Sequence, residues 1–447
     1  MSLNRRRPYL AATPAFAAGT ASPRTFLEDC IAQIETHEGD VQAFVHMNLD
    51  AARKAADASA ARWKNGKPLS IYDGMPVGVK DIIETEDFPT EMGSPIYKNW
   101  ESGRDAAVVK ALRTAGTVIV GKTVTTEFAS SHPNKTRNPH DLTRTPGGSS
   151  SGSAAGVGAG FISAGLGTQV VGSILRPAAF CGVFGYKPSL GGINRGGSHD
   201  FLSQSCTGTL AASLEDAWVL ARDLAWRAGG DPGFPGISGP ERLPPAKMPT
   251  SLIVLETPGW PIVDAMAKTA LEKTCEHLSA KGIKILSRHT TPHVELVEKL
   301  LERSMPLTRL INAFESRWPY NVYHDKAAHL LSESAADRVV EAFELTLDDY
   351  RAALMERESI RATFNTLSGI ADACITLSSS GAPPVGFETT GDPIFVVAGS
   401  MLGVPAVTLP VLESEGLPLG LQMLGFLNQD ATLIAHASAL LDQMTPK

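Results

Sequence analysis

Three short stretches gather hydroxyl, amine and guanidinium groups among very small residues: Val77-Gly78-Val79-Lys80-Asp81, Gly147-Gly148-Ser149-Ser150-Ser151-Gly152-Ser153, and Gly167-Thr168-Gln169-Val170-Val171-Gly172-Ser173-Ile174-Leu175-Arg176. The serine run has two readings. A Gly/Ser tract can be a flexible linker, but this one lies between apolar, well-patterned regions and continues into AAGVGAGFISAGLGTQ, which fits tight packing or close approach to a small ligand.

Two motif matches in the same region mislead. Gly116 to Thr123 satisfies the phosphate-loop pattern GxxxxGK[ST], yet its middle residues TVIV read as the strand itself, and helix precedes them. A phosphate cradle needs a loop of free N–H groups between strand and helix. Gly148 to Gly152 satisfies GxSxG with Ser150 as nucleophile, but that elbow needs an apolar strand just upstream, and NPHDLTRTP is polar and closed by Pro146. His289, His293, His324, His329 and His436 lie in no setting that singles one out as a triad base.

The elements that must position these groups follow from periodicity. Ser22-Pro23 opens a helix whose Phe26, Leu27, Ile31 and Ile34 share a face; LDAARKAADASAARWKNG is a second helix closing at Gly66. GMPVGVKDIIET reads as a strand, DAAVVKALRTAG as a helix and TVIVGKT as a buried strand. A helix in SLEDAWVLARDLAWRA precedes a Pro/Gly-rich surface connection, and SLIVLE, a helix to Gly282 and IKIL make another strand-helix-strand unit. Amphipathic patterns fill residues 294–367, and strands in DACITL, PAVTLPV and LGLQMLG precede a final helix. This order predicts an α/β fold.

Composition narrows the function. The 447 residues are 43% hydrophobic and 19% charged with a formal charge of -7, which argues against a nucleic-acid or anionic-membrane surface and for a small-molecule partner. Five scattered cysteines without a CxxC pair indicate neither disulfides nor zinc and fit a reducing cytoplasm. The opening MSLNRRRPYLAATPAFAAG resembles a signal peptide, but Pro8 and Pro14 interrupt its weak apolar run, and it reads as a first helical segment. No run of apolar residues is long enough to span a membrane.

Together GVKD, AGTVIVGKTVTTEFA, PGGSSSGSAAGVGAG, the segment around Ser173, FCGVFGYKPS and GLPLGLQMLG resemble the amidase signature family, from about residue 20 to the C-terminus. The resemblance implies one domain over 1–447: a core of a central mixed twisted sheet with helices on both faces (about 65–225 and 370–447), N-terminal helices (about 1–64) and a variable helical region (about 260–367). It implies a Ser-cisSer-Lys triad with Ser173 as nucleophile, Ser149 after a cis peptide bond as bridge and Lys80 as base. The backbone of Val170, Val171, Gly172 and Ser173 forms the oxyanion hole, and no metal or organic cofactor takes part. Gln169 places the chain nearer the malonamidase-like, carbamate-cleaving branch and is expected to touch substrate. Arg176 matches an arginine that binds a substrate carboxylate there; a structural arginine tied to an acid is the alternative.

The chemistry expected of Lys80 has physical conditions. A lysine amine, ordinarily near pKa 10.4, takes a serine proton at neutral pH only if burial and the absence of a close carboxylate bring that value down. If VGVKD is extended, Asp81 points to the opposite face from Lys80. Val171 stands where the family commonly has glycine, and a β-branched residue would be strained if that position needs positive φ. The glycine-flanked Gly191 to His199 segment is read as a lid or as a surface turn. The expected activity is C–N cleavage of amides, aryl amides and carbamates (urethanes) through an acyl-enzyme. The alternatives are a catalytically weak binding protein and a glutamine-dependent amidotransferase subunit that works with partner proteins, and a homodimer is left open.

Overall fold

The period-two pattern of the apolar residues is resolved into strands in the computed structural model, which describes residues 6–444. In chain order the strands are β1 (Phe44–Met47), β2 (Pro76–Lys80), β3 (Val118–Thr123), β4 (Ala164–Gln169), β5 (Phe184–Lys187), β6 (Cys206–Ala211), β7 (Ser251–Val254), β8 (Lys284–Leu286), β9 (Ala373–Leu377), β10 (Ala406–Ser414) and β11 (Leu417–Leu424). They form one mixed sheet of 11 strands in the order β1-β3-β2-β4-β6-β5-β10-β11-β9-β7-β8.

Alternation along the strands buries both faces. In β9, Ala373, Ile375 and Leu377 enter one core with Val77, Val79, Leu112, Leu220 and Leu271. Cys374 points the other way, into a second core with Leu27, Ile31, Ala155, Leu175 and Phe364. The helices Ala107–Thr114, Leu214–Ala228 and Ala265–Ala280 therefore cover one face, and Pro23–Val41, Ser151–Gly158, Leu175–Phe180 and Leu347–Asn365 cover the other.

Local signals act as read from the sequence. Ser22 Oγ accepts from Thr25 N (3.1 Å) at the start of Pro23–Val41, and Gly66, Gly116 and Gly282 take positive φ after their helices. Gly121, Lys122 and Thr123 lie inside β3, so the phosphate-loop match is a strand. Of the opening segment, Leu10–Ala12 and Thr13–Ala17 are helical, while residues 1–5 lie outside the described residues.

Other features depart from the expectations. The N-terminal helical segment contains β1, which pairs antiparallel with β3, whereas β7, Ala265–Ala280 and β8 form the strand-helix-strand unit read from SLIVLE to IKIL. β6 was not legible: CTGTLA has little apolar bulk, and its Gly208 is required because a Cβ there would lie 2.3 Å from the Tyr186 carbonyl oxygen.

Candidate active site

Lys80 ends β2, which runs parallel to both β3 and β4, with Val79 opposite Leu166 on β4. That register sets Lys80 beside the C-terminal end of β4, and its side chain is 0% exposed. Its Nζ donates to Ser149 Oγ (2.8 Å) and Thr168 Oγ1 (2.8 Å). Burial brings the ammonium down to about 7, against an opposing pull from the Asp200 carboxylate. Asp81, as its extended neighbour position required, faces away and pairs with Lys122 instead (3.1 Å).

The serine run folds tightly and is no linker. The Gly148–Ser149 peptide is cis, and Ser149 is buried. Ser151 Oγ donates to Val124 O (3.2 Å), and Ser153 Oγ donates to Leu166 O (2.8 Å) while lying 2.7 Å from Thr123 Oγ1. These hydroxyls stitch the helix Ser151–Gly158 onto β3 and β4. Gly152 leaves no room for a side chain, since its Cβ would sit 2.1 Å from Ala43 O.

Residues Val170 to Ser173 link β4 to the short helix Leu175–Phe180. The residues with positive φ include none of Gln169 to Ser173, so Val171 carries no left-handed strain. Among the described residues the N–H groups of Val171, Gly172 and Ser173 find no acceptor, and all three residues line the cavity together with Val170, whose carbonyl oxygen accepts from Gln204 Nε2 (2.9 Å). Ser150 N donates to Ser173 O (3.3 Å), joining the two serine segments through the backbone; no hydrogen bond links the Ser149 and Ser173 hydroxyls.

Gln169 is not part of the cavity lining. It is 0% exposed, and its Oε1 accepts from Ile174 N (2.8 Å) and Leu175 N (3.0 Å) while Nε2 donates to Ser400 Oγ (2.9 Å). Ser400 Oγ in turn donates to Val171 O (2.8 Å). The amide thus clamps the loop that carries Ser173, and the expectation of substrate contact is corrected to a positioning role.

The cavity over Ser173 has a volume of about 880 Å³, with Arg176, Asp200, Phe201 and Tyr320 in its wall. Arg176 is buried, and its Nη2 donates to Gly148 O (2.9 Å) and Thr390 Oγ1 (2.9 Å). Its Nε and Nη1 have no partner, and no ion pair holds it among the described residues. Burial lowers the guanidinium to about 10, with Asp392 opposing, which leaves it charged at neutral pH. The reading of Arg176 as tied to an acid is therefore not met.

Gly191 to His199 forms a turn that is pinned at three points. Arg195 Nε meets Asp231 Oδ2 (2.6 Å), Glu84 N donates to Gly197 O (2.9 Å) and His199 N donates to Ile82 O (2.9 Å). Sequence reasoning missed Thr168, Ser400 and Asp200. Thr168 stands inside a quoted motif, and alternation along β4 was the signal that could have found it; the other two come from remote segments.

A buried amine at the end of β2 is thus hydrogen-bonded to a serine of the loop before Ser151–Gly158, below a cavity lined by a second serine and unused N–H groups. The chain belongs to the amidase family, whose sequence profile matches residues 25–434. It is 32% identical to a glutamyl-tRNA(Gln) amidotransferase subunit from Anaeromyxobacter sp. (strain K), covering 96% of this chain and 94% of that one. A crystal structure of an amidase superposes with a TM-score of 0.85 at 26% identity, covering 98% of this chain and 99% of its own. The peptide amidase of Stenotrophomonas maltophilia shares the fold, with a TM-score of 0.79 at 24% identity over 98% of this chain and 96% of its own. Among the described residues no helix is long and apolar enough to cross a membrane.

Proposed function

We propose that the chain alone hydrolyses small amides, including aryl amides and carbamates, through an acyl-enzyme on Ser173. The observation that carries this reading is Lys80: buried, free of a carboxylate ion pair, poised near pKa 7 and 2.8 Å from Ser149 Oγ. As Ser173 attacks the carbonyl carbon, its proton passes to Ser149 and the Ser149 proton to neutral Lys80. Rotation of the Ser173 side chain toward Ser149 closes the relay, a tightening expected when substrate fills an empty site. The tetrahedral oxyanion takes the unused N–H groups of Val171, Gly172 and Ser173, each good donor contributing on the order of 3 kcal/mol. Lys80 returns the proton through Ser149 to the leaving nitrogen, the C–N bond breaks, and water activated by the same pair cleaves the ester. In a carbamate the same attack releases the amine or the alcohol, and the acyl product is freed in the second step.

A second reading has its own support, since the curated relatives at 32% identity over 96% of the chain are amidotransferase subunits. The purified chain, offered aliphatic amides, anilides, p-nitrophenyl carbamates and ureas, separates the two. Turnover abolished by Ser173→Ala and by Lys80→Ala supports the stand-alone hydrolase. Glutamine hydrolysis seen only with added partner subunits supports the other. Failure of a fluorophosphonate to label Ser173 would return the chain to a binding role.

A further inference from the structure

Of the carboxylates in the cavity wall, none of which the proposed chemistry uses, Asp200 alone is buried. Asp200 follows the pinned turn at His199 and is 6% exposed, yet it lines the cavity above Ser173. Its backbone N–H is directed to Ser198 Oγ (3.4 Å), and among the described residues no hydrogen bond or ion pair reaches its carboxylate oxygens. Its neighbour His199 is engaged elsewhere, with Nε2 3.1 Å from Glu84 Oε1.

A carboxylate that faces a cavity and has no protein donor takes its hydrogen bonds from whatever fills that cavity. The cations nearby do not do so. Arg176 spends Nη2 on Gly148 O and Thr390, and Arg338 Nη1 lies 3.4 Å from the Tyr320 hydroxyl. Asp200 attracts the Lys80 ammonium, and that attraction vanishes whenever Lys80 is the neutral base the proposed reaction needs. The wall as a whole carries five carboxylates against three guanidiniums, so its field also favours a cation.

We infer that Asp200 is a cation-binding subsite of the cleavage cavity, and that the preferred amides carry an ammonium or guanidinium group. The inference rests on the reading of the cavity as the amide site. It adds a substrate class: the charged group pairs with Asp200 while the carbonyl lies over Ser173. An incoming ammonium supplies the donors the carboxylate lacks.

The Ser173→Ala protein, titrated calorimetrically with ω-aminoalkanamides and with uncharged alkanamides of matched length, tests this without turnover. The cationic member should bind at least about tenfold tighter, about 1.4 kcal/mol, and Asp200→Asn in the same background should erase the difference. Equal affinities in the Ser173→Ala protein overturn the inference whether or not the Asp200 variant folds, and so does a preference that survives Asp200→Asn. In the otherwise unaltered enzyme the same ratio should appear in kcat/KM. Neutral amides cleaved through Ser173 and Lys80 with no cationic preference sink the subsite and leave the hydrolase standing. Cation binding through Asp200 in a chain that cleaves no amide does the reverse.

Discussion

Asp81 pairs with Lys122 across adjacent strands at 3.1 Å, and its chain neighbour Lys80 is left without a carboxylate. Both members of the pair are 0% exposed. Burial works against each charge, raising the Asp81 carboxyl and lowering the Lys122 ammonium, while their attraction and the bond from Lys122 Nζ to Thr90 Oγ1 (2.7 Å) hold them together. The acid next to Lys80 in the chain is diverted to a second lysine.

Lys122→Met should therefore destabilise strongly, because Asp81 is left buried and uncompensated. A loss of about 3–5 kcal/mol is the ordinary consequence of removing one partner of such a pair. Urea unfolding followed by circular dichroism measures it, with Lys122→Met/Asp81→Asn as the comparison. A single variant no less stable than the double one would show that the pair does not hold the strands.

The pH profile follows from the sign of the Lys80 shift. With Lys80 as the proposed base the reactive form is the neutral amine, so kcat/KM should rise about tenfold per pH unit below its pKa and level off above it. Burial sets that midpoint near 7, far below the ordinary lysine value of 10.5. Asp200 raises it, so Asp200→Asn should move the midpoint downward. Rates of a neutral amide measured across the acid range check both, and an unmoved midpoint in Asp200→Asn would remove the electrostatic link between these residues. Lys80→Ala should cost on the order of 10³-fold or more in kcat.

Much of this was legible because local chemistry and period agree. The face opposite to Asp81, the rejection of the phosphate loop in β3 and the close packing around Gly152 all follow from single strands or single turns. Thr168 joins Lys80 only because β2 and β4 pair in one particular register, and register between strands is a long-range property. Ser400 and Asp200 arrive from segments whose local sequence says nothing of their destination. Gln169 was misplaced for a related reason: the resemblance marks its position, but whether an amide faces the cavity or the loop behind it is decided by Ser400 and by the first turn of Leu175–Phe180.

That arrangement gives Gln169 a testable role. Gln169→Leu removes acceptors from Ile174 N and Leu175 N and a donor to Ser400, so the loop bearing Ser173 loses its clamp while the cavity wall is unchanged. The expected result is a lower kcat, by about ten- to a hundredfold, at nearly constant KM, with stability reduced by about 1–3 kcal/mol. Ser400→Ala should act in the same direction, and the two together should be non-additive because they share one chain of bonds. A change confined to KM would restore Gln169 to the substrate.

Arg176 separates two roles by substrate. Its Nη2 is fixed on Gly148 O and Thr390 Oγ1, and its Nε and Nη1 are unused beside the cavity. If those nitrogens receive a substrate carboxylate, Arg176→Lys keeps a charge but loses the planar fork. Amides bearing a carboxylate should then show KM raised by about tenfold or more, while uncharged amides keep theirs. If Arg176 only braces the Gly148 carbonyl, every substrate should lose kcat alike, since the peptide that precedes Ser149 would shift. Steady-state kinetics on a matched pair of neutral and carboxylate-bearing amides distinguishes these outcomes, and a uniform fall in kcat would make the arginine a strut for Ser149.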